Sequence, residues 1–430
     1  MTVADDRSGP APAVTPGDAS GGSEGRVAGL RSHWELAPDV VFLNHGSFGA
    51  TPAVVLADQA RWRARMESDP VAFFVRDLDG LLAGVRAALG RFVGADPEDL
   101  ALLPNATAGV NTVLRSLTFS PGDELLATGH EYNAAVNALR FAAARDGATV
   151  VVVDPGMPVI GADDVADRIL DAVTPRTRLA LISHVTSPTG VVLPVERLVP
   201  ALRERDVETL VDGAHAPGML PLDLDALGSA YYTGNCHKWV CAPKGAAFLH
   251  VRRDLRDAVR PLAISHGAND PDPDRPRFRK EFDWTGTDDP TAWLAIPAAL
   301  ATIGGLLPGG WPAVMAANHA LALHGRDLIL DALARIEPGP PRAGAPDAMT
   351  GSMATVTLPG RGAEPFVSRS PLDVDPIGAA LWERWRIEVP ILAIPGRPGE
   401  GRLVRISAQL YDTPDEYALL AGALAELCAA

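Results

Sequence analysis

The chain has 430 residues, more than one hydrophobic core usually organises, so two packed domains are the starting expectation. Hydrophobic residues make up 47% and charged residues 21%, a globular balance, and the formal charge of -15 offers no basic face for nucleic acid or an anionic membrane. No run of about 18 apolar residues is free of charge, so no membrane span is expected.

Residues 1–28 are rich in Gly, Pro, Ser and Asp and hold no large apolar cluster. They cannot offset their ordering entropy and are expected to be a disordered tail. They also lack the apolar run of a secretory signal, and Cys236, Cys241 and Cys428 form neither an even framework nor a CxxC pair. A reduced, cytoplasmic protein is the simple expectation. Two helical stretches follow between 51 and 93, the second as LDGLLAGVRAALGRFVG. A third helix runs from Asn105 to Leu117, with Val110, Val113, Leu114 and Leu117 on one face. Strands and helices then alternate: strand 124–128, helix 132–145, strand 148–154, helix 163–173, strand 178–184, helix 195–205, strand 207–212 and strand 245–251. Apolar strands alternating with helices predict an α/β protein with a mostly parallel sheet between helices. A mostly helical span near 291–335 leads past a Gly/Pro-rich stretch to strand 352–358, helix 376–386, strand 402–408 and helix 414–428. This second region reads as a small α+β unit.

Three places could carry chemistry. Asp212, in VDGAHAPG, stands where a buried strand ends, and its carboxylate can pair with a protonated ring nitrogen or simply cap a helix. Lys238 follows the short aromatic strand Tyr231–Tyr232 and lies between His237 and Trp239. Desolvation there would lower its pKa and favour Schiff-base chemistry, although a lysine on a loop is ordinarily a surface group. The chain has only Lys238, Lys244 and Lys280 as lysines, so amine nucleophiles are few. The third place is PNATAGVN (104–111), where a helix start is either an anion site or a plain cap. His130 and Glu131 lack the HExxH spacing, and no metal site is expected.

Taken in order, a phosphate-type helix start, a strand-end Asp followed by His, and a lysine after a further strand resemble the class V aminotransferase family, in its isopenicillin N epimerase-like group. The motifs that carry the resemblance are FLNHGSFG (42–49), SHVTSPTGVVLPV (183–195), VDGAHAPG (211–218), GNCHKWVCAPKG (234–245), LWERWRIEVP (381–390) and VRISAQLYDT (404–413). The resemblance implies the PLP-dependent transferase fold of type I, with pyridoxal 5'-phosphate (PLP) as cofactor. It implies a tail at 1–28, an N-terminal arm of the small domain at 29–50, a large PLP-binding domain at 51–310 and a small C-terminal domain at 311–430. By the same resemblance Lys238 forms the Schiff base and moves the Cα proton. Asp212 pairs with the pyridine nitrogen, His215 supports the ring and Tyr132 stacks on it. Asn105, Ala106 and Thr107 hold the phosphate, with His237 and Thr233 on its other side. Thr287, in WTGTDDP, reaches the neighbouring subunit's phosphate site, which implies a homodimer with shared active sites. Arg405, placed opposite Val404 and Ile406 by the period of a strand, captures the substrate α-carboxylate, and Asn44 and His45 line the substrate side.

Two departures from the family pattern bear on the reaction. Ser187 stands where related enzymes often have an asparagine touching the cofactor's 3'-oxygen. The segment 359–375 contains no cysteine, so the mobile thiol of a cysteine desulfurase is missing and that activity is not expected. Three outcomes remain open for a small amino-acid-containing substrate: β-elimination from a cysteine S-conjugate, epimerisation, and transamination or decarboxylation. A non-catalytic PLP-fold binding protein is a remote alternative.

Overall fold

The computed structural model describes residues 29–336, 339–366, 374–397 and 399–429. The expected disorder of 1–28 and part of the cysteine-free segment 359–375 lie outside those residues.

Seven strands form the central sheet: β1 (Leu100–Leu103), β2 (Glu124–Thr128), β3 (Thr149–Val153), β4 (Thr177–Ser183), β5 (Glu208–Gly213), β6 (Tyr231–Asn235) and β7 (Ala247–Val251). Their spatial order is β1-β7-β6-β5-β4-β2-β3, with β7 alone antiparallel to its neighbours. Alternate residues enter opposite cores, as the period of a strand requires. Ile182, Val211 and Tyr232 pack on one face, and Leu181, Leu210 and Tyr231 on the other. The helices α1 (Ala53–Ser68), α2 (Leu78–Val93), α3 (Ala106–Ser116), α4 (Asn133–Asp146), α5 (Ala162–Asp171) and α6 (Val195–Arg203) cover both faces. Leu82 and Leu89 of α2 and Leu198 and Leu202 of α6 close the first core, while Val110 and Val113 of α3 and Leu139 of α4 close the second. Burial on both faces is why these strands read as continuous apolar runs.

A further core gathers around α7 (Gly310–Leu333), β8 (Met353–Thr357), α8 (Pro376–Trp385), β9 (Ile391–Ala393), β10 (Arg402–Ser407) and α9 (Pro414–Ala429). The three strands make an antiparallel sheet in the order β9-β10-β8. Val404 and Ile406 face this core with Ile329, Tyr417 and Leu424, which turns Arg405 to the opposite side. Leu43 belongs to the same core, because Val41–Phe42 pairs in parallel with Ile387–Glu388. That pairing ties residues 41–49 to the C-terminal unit and presents them to the edge of the large sheet.

The expected strands and helices all form, with ends shifted by one to three residues; the strand expected at Tyr231–Tyr232 runs on to Asn235. β1 and β9 were not among the expected elements. Each has only three or four residues and ends near a proline, too short for a period to show. No single helix among the described residues is long and apolar enough to cross a membrane.

Candidate active site

The carboxyl ends of β2, β4, β5 and β6 and the start of α3 converge on a cleft of about 490 Å³. Open α/β sheets bind ligands at this edge, where loops follow parallel strands and helix N-termini face outward. Lining it are Asn105, Ala106, Thr107, Tyr132, Ser187, Asp212, His215, His237, Lys238 and Arg405, all expected from the sequence.

Lys238 reaches the cleft from the turn after β6. Cys241 N–H donates to its carbonyl at 2.9 Å, and His45 Nε2 sits 3.0 Å from the same oxygen. Its Nζ lies 2.9 Å from His215 Nε2. Burial first and then Arg405 lower the pKa of this amine to about 7, with Asp212 opposing both. The sequence neighbours are not its direct partners: Trp239 is buried against His45, with ring centroids 4.9 Å apart. The close imidazole comes from VDGAHAPG instead. Burial holds His215 neutral, well below the usual histidine range, so its Nε2 can accept from Lys238. Its Nδ1 is buried and has no hydrogen-bond partner among the described residues.

Asp212 stands one residue before the end of β5, and its Oδ1 accepts from Ala214 N–H at 3.0 Å. Burial raises its pKa, a backbone donor and Lys238 pull the other way, and the carboxylate forms no ion pair among the described residues. At the start of α3, Asn105 Oδ1 accepts from Ala108 N–H at 2.8 Å, so this segment is a capped helix start as well as a cleft wall. Ala106 N–H donates to Asn235 Oδ1 at 2.8 Å, and Thr107 N–H has no intrahelical acceptor by the geometry of a helix start. Tyr132 is the N-cap residue of α4 and remains 47% exposed, an aromatic face at the cleft mouth.

Arg405 is buried on β10, and burial lowers its pKa to about 10, which leaves it fully charged at neutral pH. Its guanidinium donates to the Ser187 carbonyl, to Ser47 Oγ at 3.0 Å and to Asn44 Oδ1 at 3.4 Å. These acceptors fix its plane. The arm reaches in this close because Gly49 has φ +71 and a Cβ there would lie 2.1 Å from the His237 carbonyl.

Four expected residues lie elsewhere. Thr233 does not line the cleft: its hydroxyl donates to the Phe248 carbonyl at 2.9 Å and packs on Gly109. It is mid-strand in β6 and faces inward, whereas Asn235, two residues on, reaches α3 and the cleft. His45 is wholly buried behind the lysine, bonded to Tyr411 Oη at 2.7 Å, rather than at the substrate side. Asn44 lies beneath Arg405 as its acceptor and outside the lining. Thr287 is exposed and away from the cleft of its own chain. Sequence reasoning also missed Ala214, Ser183 and Lys244, which line the cleft. Lys244 was one of three lysines, and the cleft-ward end of each strand was the available signal for the others.

None of the three cysteines lines the cleft; all are buried, and burial raises the thiols of Cys236 to about 12 and Cys428 to about 11. Away from the cleft, Asp99, Asp225 and His250 bring ligand-type atoms within 4.8 Å of one another. Asp99 already faces Arg256 at 3.1 Å and Arg253 at 3.5 Å, cations that oppose a metal ion there.

A sheet of this order, with a lysine, a strand-end aspartate and a helix start on one cleft, defines the PLP-dependent transferase fold of type I. The chain belongs to the class V aminotransferase family, whose model, Aminotransferase class-V, matches residues 65–321. It is 36% identical over 412 residues to an isopenicillin N epimerase of Amycolatopsis lactamdurans, covering 93% of this chain and 98% of that protein. It is 30% identical to a probable chloroplastic L-cysteine desulfhydrase of Arabidopsis thaliana, over 90% of this chain and 82% of that one. Among solved structures, a variant of C-DES with glycine covalently linked to its PLP cofactor superposes with a TM-score of 0.75 at 24% identity, over 92% of this chain and 99% of that chain. The donor set fits such a group. A buried carboxylate without an ion-pair partner among the described residues suits a pyridinium, a desolvated amine suits an aldehyde, and the open Thr107 N–H at a helix start suits a phosphate.

Proposed function

We propose that this protein is a PLP-dependent enzyme acting at Cα of an amino-acid group, and that it cleaves a C–S bond of a cysteine S-conjugate by β-elimination. The observation that carries the reading is the Lys238 amine, held at 2.9 Å from His215 and lowered to about 7 by burial and Arg405. Bound in this cleft, the cofactor would supply an electron sink in conjugation with the substrate nitrogen. Lys238 Nζ would anchor it covalently, and the free amine is placed to move the Cα proton. His215 accepts a hydrogen bond from that amine and keeps its lone pair directed. Asp212 would hold the pyridine nitrogen protonated. Asn105, Ala106, Thr107 and His237 would hold the phosphate, Tyr132 would cover the ring, and Ser187 would serve the 3'-oxygen. Arg405 takes the α-carboxylate in a bidentate, charge-assisted contact. The assembly is a homodimer in which Thr287 of each chain reaches the neighbour's phosphate site.

Elimination needs one acid–base group on one face, since the proton removed from Cα can be returned to the departing sulfur. The Lys238–His215 pair meets that need. A second reading, epimerisation at Cα, is favoured by the 36% identity to an isopenicillin N epimerase. The two readings separate in one experiment. With a panel of cysteine S-conjugates, elimination releases a thiol, pyruvate and ammonia. Epimerisation exchanges the Cα proton with solvent deuterium and leaves the side chain whole. Exchange without pyruvate from any conjugate would replace the first reading by the second.

A further inference from the structure

Glu131 is a buried acid that the proposed chemistry leaves unused. It precedes Tyr132, is 6% exposed, and accepts at Oε1 from Thr128 Oγ1 at 2.7 Å and at Oε2 from Ser183 Oγ. Ser183 is the last residue of β4, lies in register with Asp212 of β5, and lines the cleft. Its hydroxyl therefore has Glu131 on one side and the Asp212 end of the cleft on the other.

We propose that Glu131 is a positioning residue which, through the Ser183 hydroxyl, decides whether the strand end beside Asp212 offers the cleft a hydrogen-bond donor or an acceptor. An ionised Glu131 takes the Ser183 proton into their shared hydrogen bond, leaving an oxygen lone pair toward the cleft. A protonated Glu131 donates to Ser183 Oγ, and the serine proton is then free to turn outward. The groups facing the carboxyl are the Thr128 hydroxyl from β2, the Ser183 hydroxyl and N–H from β4, and Asp212 from β5, whose charge opposes a second ionisation. Its neighbour His130 bonds to Thr189 Oγ1 at 3.1 Å and is held neutral, its pKa lowered by burial to about 4. Burial, with a smaller push from Asp212, raises the Glu131 pKa to about 7 against the lowering effect of the Ser183 and Thr128 hydrogen bonds, so the switch would act near neutral pH. The ligand affected is the group that pairs with Asp212, so this inference rests on the PLP reading for its consequence and not for its geometry.

Two arms test it. In the cofactor-free protein, difference infrared spectroscopy follows the carboxylic-acid carbonyl band of Glu131, assigned by its loss in Glu131→Gln. Titrating from about pH 5 to about pH 9 covers the range in which a buried carboxyl changes state. Ser183→Ala removes a donor to the ionised form, so the acid band should persist to higher pH by about one unit. In the PLP-loaded protein, the bound-cofactor absorption should change through the same pH in the wild type and lose that inflection in both variants. A band absent throughout, or unmoved by Ser183→Ala, would overturn the coupling whether or not PLP binds. A band that moves while the cofactor spectrum titrates identically in all three proteins would overturn the effect on the cleft.

Discussion

At the scale of single residues, the site is a set of buried charges that the fold leaves incompletely paired. Arg405 helps to depress the Lys238 pKa, so removing it has two consequences. Arg405→Ala should raise KM for an α-amino acid strongly, and Arg405→Lys should recover little, because an ammonium cannot make two parallel hydrogen bonds. The same variant should also move the pH dependence of cofactor incorporation. A lysine with a pKa of about 7 gains its nucleophilic, uncharged form as pH rises through 7, and without the guanidinium that rise should come at higher pH. Stopped-flow absorption at several pH values reads this shift; a rise at unchanged pH would mean that Arg405 does not act on the lysine. Asp212→Asn should retain the cofactor yet lose most turnover, because an amide cannot hold a proton on the pyridine nitrogen. Near wild-type turnover would refute its role. Most of these side chains were legible as strand ends and turn motifs. The direct partner of Lys238 was not, because His215 lies 23 positions away and only the pairing of β5 with β6 brings the two turns together. Thr233 was misplaced for a related reason. By the period of a strand it shares a face with Asn235 but lies two residues short of the cleft, packed under Gly109 of α3, and how far the strand runs before the cleft opens is not marked in its own sequence.

At the scale of elements, the start of α3 and the arm at 41–49 do the positioning. Asn105 caps α3 with a side-chain acceptor and lines the cleft. Asn105→Ala should cost about 1 kcal/mol of stability, as lost N-caps do, and should weaken PLP binding in the same variant. Thermal melts with and without PLP separate the two effects, and a variant that loses stability alone would make this a plain capped helix. Gly49→Ala is the sharper probe of the arm. Its φ of +71 and the 2.1 Å approach to the His237 carbonyl leave no room for a methyl group, so the lysine turn must shift. Activity should fall far more than the melting temperature; equal activity would show that the arm does not set the lysine. The alternating elements of the large sheet were legible because burial on both faces makes each strand a continuous apolar run. The arm's pairing was not. Val41–Phe42 forms two rungs with Ile387–Glu388, too short for any periodic signal and more than three hundred residues distant.

At the scale of the whole molecule, two units share one cleft: the large sheet supplies Lys238 and Asp212, and β10 of the C-terminal unit supplies Arg405. A motion of one unit against the other would change the distance between amine and carboxylate anchor. Thr287 is exposed in the single chain, and in the proposed homodimer it would reach a neighbour's phosphate site. Light scattering should give twice the chain mass, and Thr287→Ala should weaken PLP binding; a fully active monomer would remove this residue from the site. The composition bears on the central claim in an unusual way. The chain has three lysines, and of these Lys238 and Lys244 line the cleft, while Lys280 Nζ is engaged by the Asp270 and Asp272 carbonyls elsewhere. Borohydride reduction of the PLP-loaded protein followed by peptide mapping therefore tests the account most directly. The phosphopyridoxyl group is predicted on Lys238 and should be lost in Lys238→Ala; its appearance on Lys244 or Lys280 in the wild-type protein would contradict the account.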